Sequence, residues 1–224
     1  MNIIIAGLTG SGKTTHARLL SQELHLTYVS GSEIRSLLTA GKIPTNPRTH
    51  WLFSDNATET DHHRLIDPRL DIAVNEYLKQ LVMTKTEQIL DVWFLPWLRP
   101  TNSLKIWIEC PAQIRAQRIL RLVGSINRNI EHIQQTIAGK DARSREFAYK
   151  IYGIDIFADR TPFDVIITVE SELPVGTVHT ALNLISQKFL SVGETNCQMS
   201  ELSTEIRSTV VSIISRCPSK FYPI

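Results

Sequence analysis

Residues 7–14 read Gly7-Leu8-Thr9-Gly10-Ser11-Gly12-Lys13-Thr14 and satisfy the pattern G-x-x-x-x-G-K-[ST] in full. Glycines in such a loop let backbone N–H groups surround a polyphosphate, and a helix that starts at the lysine directs the positive end of its dipole at the same anion. The lysine adds a mobile positive charge, and the threonine hydroxyl is a ligand for Mg²⁺. The stretch therefore predicts a site for ATP and Mg²⁺, with the metal ligand Thr14 and these nucleotide-binding residues: Gly7, Gly10, Ser11, Gly12, Lys13, Thr14 and Thr15.

The segments around the loop are typical of a protein that alternates strands and helices. A buried strand at residues 2–6 precedes the loop and a helix at about 13–24 follows it, which disfavours a chance match in an ordinary glycine-rich turn. Further strands are predicted at 26–29, 88–91, 104–108 and 164–169, and helices at about 31–38, 70–81, 112–123, 129–151 and 176–189. We therefore expect an α/β fold with a parallel sheet covered on both faces, and a site at the edge where the strands end.

The composition excludes few functions but sets expectations for partners and compartment. The 224 residues are 42% hydrophobic and 21% charged, with a formal net charge of +2, which gives no reason to expect a nucleic acid or an anionic membrane as partner. No apolar run approaches the roughly 18 residues needed to cross a bilayer. The three cysteines are widely spaced, which is typical of a reducing compartment, so we expect a cytoplasmic protein.

Segments beyond the loop carry a more specific pattern. They are residues 28–35 (YVSGSEIR), 104–111 (LKIWIECP), 149–156 (YKIYGIDI) and 163–168 (FDVIIT). Together with the loop they resemble the archaeal-type cytidylate kinases, a group within the P-loop nucleoside-monophosphate kinases. The resemblance covers about residues 1–190. It implies a P-loop kinase fold with a five-stranded sheet of order 2-3-1-4-5, an acceptor-binding arm at about 31–66 and a lid at about 124–146.

Several residue roles follow from this resemblance. Arg35 matches the arginine that holds the acceptor phosphate, and the alternative is a solvated helix arginine. Asp91, at the end of the third strand, matches an acidic residue that can order Mg²⁺-bound water beside Thr14, and the alternative is a cap for the next helix. Arg115 and Arg118 lie three apart on one helix, where the family's arginines face the nucleotide and support the lid. Of these two, Arg118 is the candidate for nucleotide binding.

The lid departs from the family pattern. The family has an arginine followed by an acidic residue, where this chain has Lys140 and Asp141, and a second arginine at the position of Phe147. A lid cation stabilises charge on the transferring phosphoryl group. We therefore assign this catalytic role to Lys140 and Arg143, with Arg145 as the other candidate for a displaced second arginine.

A larger departure lies in the loop after the third strand, which reads Asp91-Val92-Trp93-Phe94-Leu95-Pro96-Trp97. The family has an arginine that contacts the acceptor nucleotide at the position of Trp93, whereas its tryptophan is kept as Trp97. We expect both tryptophans at the acceptor site, and either an acceptor other than CMP or a site reshaped by aromatic stacking. In the arm, Trp51 and Phe53 are expected either to stack on an acceptor ring or to anchor the arm to the core.

These features predict a phosphotransferase that moves the γ-phosphoryl group of ATP·Mg²⁺ to a small phosphorylated acceptor, such as a pyrimidine nucleoside monophosphate or a related compound. One alternative is a kinase of another small molecule or of a modified nucleotide. Another is a non-catalytic regulatory protein that binds ATP, although the intact Lys13, Thr14 and Asp91 argue against it. Residues 191–224 are expected to form a helical extension that packs on the core or on a second copy of the chain in a homodimer.

Overall fold

In a computed structural model the chain is described over residues 1–40, 67–123, 129–169 and 175–193. Within these ranges the strands form one five-stranded sheet: β1 (Asn2–Gly7), β2 (Thr27–Ser30), β3 (Gln88–Asp91), β4 (Ser103–Glu109) and β5 (Val165–Thr168). The four neighbouring pairs are parallel, and the order is β2-β3-β1-β4-β5. The predicted parallel sheet and its order 2-3-1-4-5 are confirmed.

The described helices follow the predicted alternation. They are α1 (Lys13–Glu23), α2 (Gly31–Ala40), α3 (Arg69–Thr84), α4 (Ala112–Val123), α5 (Ile130–Tyr152) and α6 (Val175–Gly193). A short 3₁₀-helix at Leu95–Leu98 follows β3 and was not predicted. It spans four residues, so it has no full helical period in the sequence, and its buried Leu95 and Trp97 belong to the core.

β1 divides the interior into cores on its two faces. Because successive side chains of a strand point to opposite faces, Ile3 and Ile5 pack on one side and Ile4 on the other. All three are fully buried, as expected for a parallel sheet covered on both faces. Their partners are Ala17 and Leu20 of α1 with Ile185 and Phe189 of α6 on the first face, and Val74 and Leu78 of α3 on the second.

Most of the predicted lid lies in the continuous helix α5. The side chain of Asn129 caps its start by accepting a hydrogen bond from the backbone N–H of His132 at 2.9 Å, and Gly153 ends it in the left-handed conformation. Ile133 and Ile137 of α5 pack on α4 in a separate buried cluster. The predicted lid residues from 130 onward are therefore anchored on α4.

Several predicted segments fall elsewhere in the chain. Of the arm predicted at about 31–66, residues 41–66 with Trp51 and Phe53 lie outside the described residues, as do the lid residues 124–128 and the chain from residue 194 onward. The helix through which a homodimer was expected is among them. In the described ranges no helix combines the length and the apolar character needed to span a membrane.

Candidate active site

The glycine-rich stretch forms the turn between β1 and α1. β1 ends at Gly7, and α1 begins at Lys13 directly after Gly12. The φ angles of Gly10 and Gly12 are +80° and +97°, in the left-handed region that favours glycine. Space is also restricted at Gly10, where an added Cβ would lie 2.9 Å from Cδ1 of Ile119 in α4. The turn therefore needs glycine for its backbone and for its packing, and it places the N-terminus of α1 at the carboxyl edge of the sheet.

Thr14 and Asp91 meet beside this turn. The Thr14 hydroxyl donates a hydrogen bond to Oδ2 of Asp91 at 2.5 Å, and the phenol of Tyr28 donates to the same oxygen at 3.1 Å. Burial, together with the negative charge of Asp91, raises the pKa of Tyr28 to about 12, so the phenol keeps its proton at neutral pH. These two bonds orient the carboxylate towards α1 and β2, which disfavours the alternative that Asp91 merely caps a following helix.

The oxygen atoms gathered here suit Mg²⁺ and a polyphosphate. A hydroxyl and a carboxylate are hard ligands of the kind that Mg²⁺ prefers. The buried hydroxyl of Ser11 has no hydrogen-bond partner in the part of the chain that the structure describes, which leaves a donor in the turn for a bound anion. The chain's own groups therefore fit the predicted pair of ATP and Mg²⁺.

Two arginines of α4 donate hydrogen bonds to backbone carbonyls of the turn. Nη1 of Arg118 donates to the backbone carbonyl of Ser11 at 2.8 Å, and Nη1 of Arg115 donates to the carbonyl of Thr9 at 2.9 Å. Nη1 of Arg115 also donates to Oδ2 of Asp141 in α5 at 2.6 Å, and both side chains of this ion pair are buried. The sequence predicted that both arginines would lie near the nucleotide, but it assigned no role to Asp141.

The predicted lid cations flank Asp141. Lys140 and Arg143 are partly buried on α5. The Arg143 guanidinium lies close to Gly139, where an added Cβ would be 3.2 Å from its Nη1. Arg145 instead pairs with Asp155 and stacks on Phe157. The catalytic role of Lys140 and Arg143 stays a prediction.

Arg35, the residue predicted to hold the acceptor phosphate, lies on α2 next to Asp71 of α3. Nε of Arg35 is 3.4 Å from Oδ1 of Asp71, and the arginine side chain is 27% exposed. This ion pair and partial burial disfavour the alternative that Arg35 is simply solvated on its helix. One turn further along α3, the buried Asn75 donates a hydrogen bond to the phenol of Tyr152 at 3.1 Å. This bond joins α3 to the C-terminal end of α5. The contact between Arg35 and an acceptor phosphate stays a prediction.

Two of the positions at which the chain departs from the family pattern, Trp93 and Phe147, touch each other. The rings of Trp93 and Phe147 meet edge to face, with centroids 6.1 Å apart. Phe147 is buried, and it also contacts Tyr152, which packs on Phe94 at 4.4 Å. An aromatic wall, defined as Trp93, Phe94, Phe147 and Tyr152, therefore lies between the loop after β3 and the end of α5.

Trp97 lies deeper than its predicted role requires. It is 6% exposed, and its ring is enclosed by Phe94, Trp107 and Phe163. Its indole N–H has no hydrogen-bond partner in the described ranges. These contacts account for Trp97 as a core residue, and no contact with an acceptor is needed to explain its position. Its part in acceptor binding stays a prediction.

Sequence reasoning missed a histidine pair behind the turn. His16 of α1 is buried, and its ring stacks on His179 of α6 with centroids 6.1 Å apart. Burial lowers the pKa of His16 to about 4, and the nearby His179 and Arg118 add to the effect. His179 in turn contacts Glu23 at 2.9 Å. In the sequence, the feature that could have indicated this pair was a histidine, His16, on the inner face of the first helix.

The chain matches known proteins along most of its length. A family model described as AAA domain matches residues 3–136. The cytidylate kinase of Sulfolobus acidocaldarius is 30% identical over 196 residues, which cover 85% of this chain and 97% of that protein. The cytidylate kinase of Archaeoglobus fulgidus is 25% identical over 194 residues, which cover 87% of this chain and 99% of that protein.

Solved structures agree at the level of the fold. A protein from Eubacterium ventriosum aligns with a TM-score of 0.57 at 12% identity, over 81% of this chain and 95% of that one. A shikimate kinase from Bacteroides thetaiotaomicron aligns with a TM-score of 0.51 at 11% identity, over 84% of this chain and 98% of that one. At such identities the likeness shows the fold alone.

The sheet order and the glycine-rich turn at the start of α1 define a class, the P-loop kinases. Within that class the chain belongs to the AAA-domain family together with the archaeal cytidylate kinases. It is a kinase of the nucleotide-kinase type, and such enzymes act on small phosphate acceptors.

Proposed function

We propose that this kinase transfers the γ-phosphoryl group of ATP to a small phosphorylated acceptor that carries a planar ring, a pyrimidine nucleoside monophosphate or a relative of one. The observation that carries the proposal is the hydrogen bond between Thr14 and Asp91, 2.5 Å long, next to the first residue of α1. It brings a hydroxyl and a carboxylate to the lysine of the glycine-rich turn. A protein that only bound ATP would have less need for this arrangement.

In this proposal the residues position reactants and balance charge. Backbone N–H groups of the turn and Lys13 bind the phosphates of ATP, while Arg35 holds the phosphate of the acceptor. Mg²⁺, held by Thr14 with Asp91 beside it, would neutralise part of the phosphate charge. Lys140 and Arg143 on α5 are assigned to the transferring phosphoryl group, and Arg118 to the nucleotide. No side-chain general base is required.

The aromatic wall supports an acceptor that differs from CMP. The resemblance assigns an arginine that contacts the acceptor to the position of Trp93, and an indole offers one N–H and no charge in its place. It can stack on a planar ring, however. The contact between Trp93 and Phe147 shows that both substitutions belong to one surface. A bulkier or modified base is therefore favoured over cytosine.

The test is an assay with ATP·Mg²⁺ and a panel of acceptors: CMP, dCMP, UMP, AMP, nucleotides with modified bases, nucleosides and sugar phosphates. ADP and a newly phosphorylated product should appear with a ring-bearing phosphorylated acceptor, and CMP should be a weak one. Asp91→Asn should lower turnover by about a hundredfold or more, because the charge at this position contributes to electrostatic stabilisation.

Other outcomes separate the alternatives. Phosphorylation of an acceptor without a phosphate group would favour a kinase of another small molecule. ATP binding without ADP formation on any acceptor would favour a regulatory ATP-binding protein. Absence of ATP binding would overturn the proposal as a whole.

A further inference from the structure

Two carbonyls of the glycine-rich turn point at the same helix. Arg115 binds the carbonyl of Thr9 and Arg118 binds the carbonyl of Ser11, at 2.9 and 2.8 Å. The described peptide bonds are trans, and in a planar trans peptide the C=O and the N–H point in opposite directions. The N–H groups of Gly10 and Gly12, which share those two peptides, are therefore directed away from α4. The arginines thus set the orientation of the groups that a phosphate would bind.

Arg115 also binds groups outside the glycine-rich turn. Its Nε donates to the carbonyl of Cys110, directly after β4, at 3.0 Å, while its Nη1 donates to both the carbonyl of Thr9 and the carboxylate of Asp141. One guanidinium therefore connects the sheet, the turn and α5. Its planar fork of donors allows these contacts at once, which a lysine could not reproduce.

Asp141 is the residue that extends this connection to the lid helix. Its side chain and that of Arg115 are both 6% exposed. Burying a charge pair costs free energy that apolar residues of similar size would not cost, so packing alone does not explain it. Lys140 is the neighbour of Asp141 in sequence, and Arg143 follows two residues later on α5. Through Arg115 the Asp141 carboxylate therefore joins the segment of α5 that carries both predicted lid cations to the turn.

We propose that Arg115 and Asp141 are positioning residues that couple occupancy of the glycine-rich turn to the placement of α5 and its cations. The inference rests on the proposed phosphoryl transfer. When the phosphates engage the N–H of Gly10, the Thr9 peptide is held in the orientation that Arg115 requires, and the guanidinium holds Asp141. Loss of the Asp141 carboxylate leaves Arg115 on the Thr9 carbonyl and ATP binding largely intact, but α5, although still packed on α4, loses its link to the turn.

The test uses Asp141→Asn, with Asp155→Asn as the matched control. Asp155 also pairs with an arginine of α5, Arg145, but at the protein surface and without contact to the turn. Hydrogen exchange of residues 130–152 is measured with and without ATP·Mg²⁺, together with the Kd for ATP and kcat. The first two readouts need no acceptor, so failure of this inference is distinguishable from failure of the proposed function.

We expect ATP·Mg²⁺ to slow exchange in α5 of the wild type and of Asp155→Asn, and to do so much less in Asp141→Asn. The Kd for ATP of Asp141→Asn should change by no more than about threefold, whereas kcat should fall by about tenfold to a hundredfold, as for a misplaced catalytic group. Arg115→Lys should weaken ATP binding as well, because the Thr9 peptide loses its anchor.

A purely structural pair would behave differently. Asp141→Asn would then unfold at a lower temperature, but kcat and the ATP-dependent protection of α5 would match the wild type well below that temperature, and this result would overturn the proposal. If Asp141→Asn does not fold, Asp141→Glu keeps the charge and displaces the carboxylate by one methylene. Wild-type kcat and wild-type protection in Asp141→Glu would overturn the proposal in the same way.

Discussion

The side of the site proposed to bind the phosphates of ATP, the phosphate-binding side, is held by hydrogen bonds and charges, whereas the side proposed to face the acceptor, the acceptor-facing side, is dominated by rings. On the first side, Thr14, Asp91, Arg115 and Arg118 all make polar contacts with or beside the glycine-rich turn. On the second side, the ion pair of Arg35 with Asp71 and the hydrogen bond of Asn75 are accompanied by the aromatic wall.

This difference agrees with the ligand proposed for each side. The phosphates of ATP present the same oxygens to every kinase of this class, so the N–H groups and cations that meet them have little freedom to change. An acceptor varies in shape and polarity, and a ring can take over part of the contact area that a guanidinium gives up. The comparison predicts that changes on the phosphate-binding side abolish activity, while changes on the acceptor-facing side redirect it.

The largest effect is expected from Lys13→Ala on the phosphate-binding side. Removing a cation from the transferring phosphates should lower kcat by at least about a hundredfold while the fold stays intact. Circular dichroism and steady-state kinetics measure the two quantities. Lys85→Ala is the control. The Lys85 side chain is exposed, and its backbone carbonyl accepts a hydrogen bond from the side chain of Asn2 at the start of β1, at the opposite end of the strand from the turn. Near-normal turnover in Lys13→Ala would contradict the assignment of the turn.

A change on the acceptor-facing side should redirect activity. Trp93→Arg should raise kcat/KM for CMP by about tenfold to a hundredfold, because a hydrogen bond to an ionised group contributes about 1.5–3 kcal/mol. Trp93→Phe is the control: it keeps a ring next to Phe147 but adds no charge, so it should give no gain. Kinetics with CMP, dCMP, UMP and AMP measure the effect.

Two results would change this interpretation. If Trp93→Arg gives no gain, Phe147 and the altered lid are also responsible for acceptor choice, since the two rings share one surface. If the wild type already has a kcat/KM for CMP near about 10⁶ M⁻¹s⁻¹, within the usual enzyme range, then Trp93 is a tolerated substitution.

The parts of the molecule that local sequence determines were predictable. The turn at Gly7–Thr14 and the helix Ala112–Val123 follow from motif and periodicity, because glycine conformation and apolar spacing act over a few residues. The strand order came from the resemblance, since spacing alone does not fix which strands pair. The resemblance also placed Asp91 near Thr14, and the structure brings them together.

What the sequence did not predict depends on contacts between distant residues. Asp141 and Arg115 are 26 residues apart, and Tyr28 and Asp91 are 63 apart, so neither pair leaves a local pattern. Trp93 and Phe147 were each noted as a departure, but their contact required the fold. For Trp97, a position shared with the family suggested the acceptor; the rings that enclose it could not be read from the sequence, and its part in acceptor binding stays a prediction.

The smallest expected effect concerns pH and again separates the two sides. His16 lies behind the turn with a pKa lowered to about 4, chiefly by burial, whereas the ordinary value is 6.5. Between these values the unfolded chain binds a proton that the folded chain does not, so the stabilisation is complete above pH 6.5 and is lost as pH falls towards 4. This group alone should lower the free energy of unfolding by about 2 kcal/mol between pH 7 and pH 5.

Denaturant unfolding at several pH values measures this loss of stability. His16→Gln should remove most of it, whereas His132→Gln, at an exposed position of α5, should keep it. The rings of the aromatic wall carry no group that titrates in this range, so this contribution to the pH dependence belongs to the phosphate-binding side. An equal pH dependence in the wild type and in His16→Gln would show that another group is responsible.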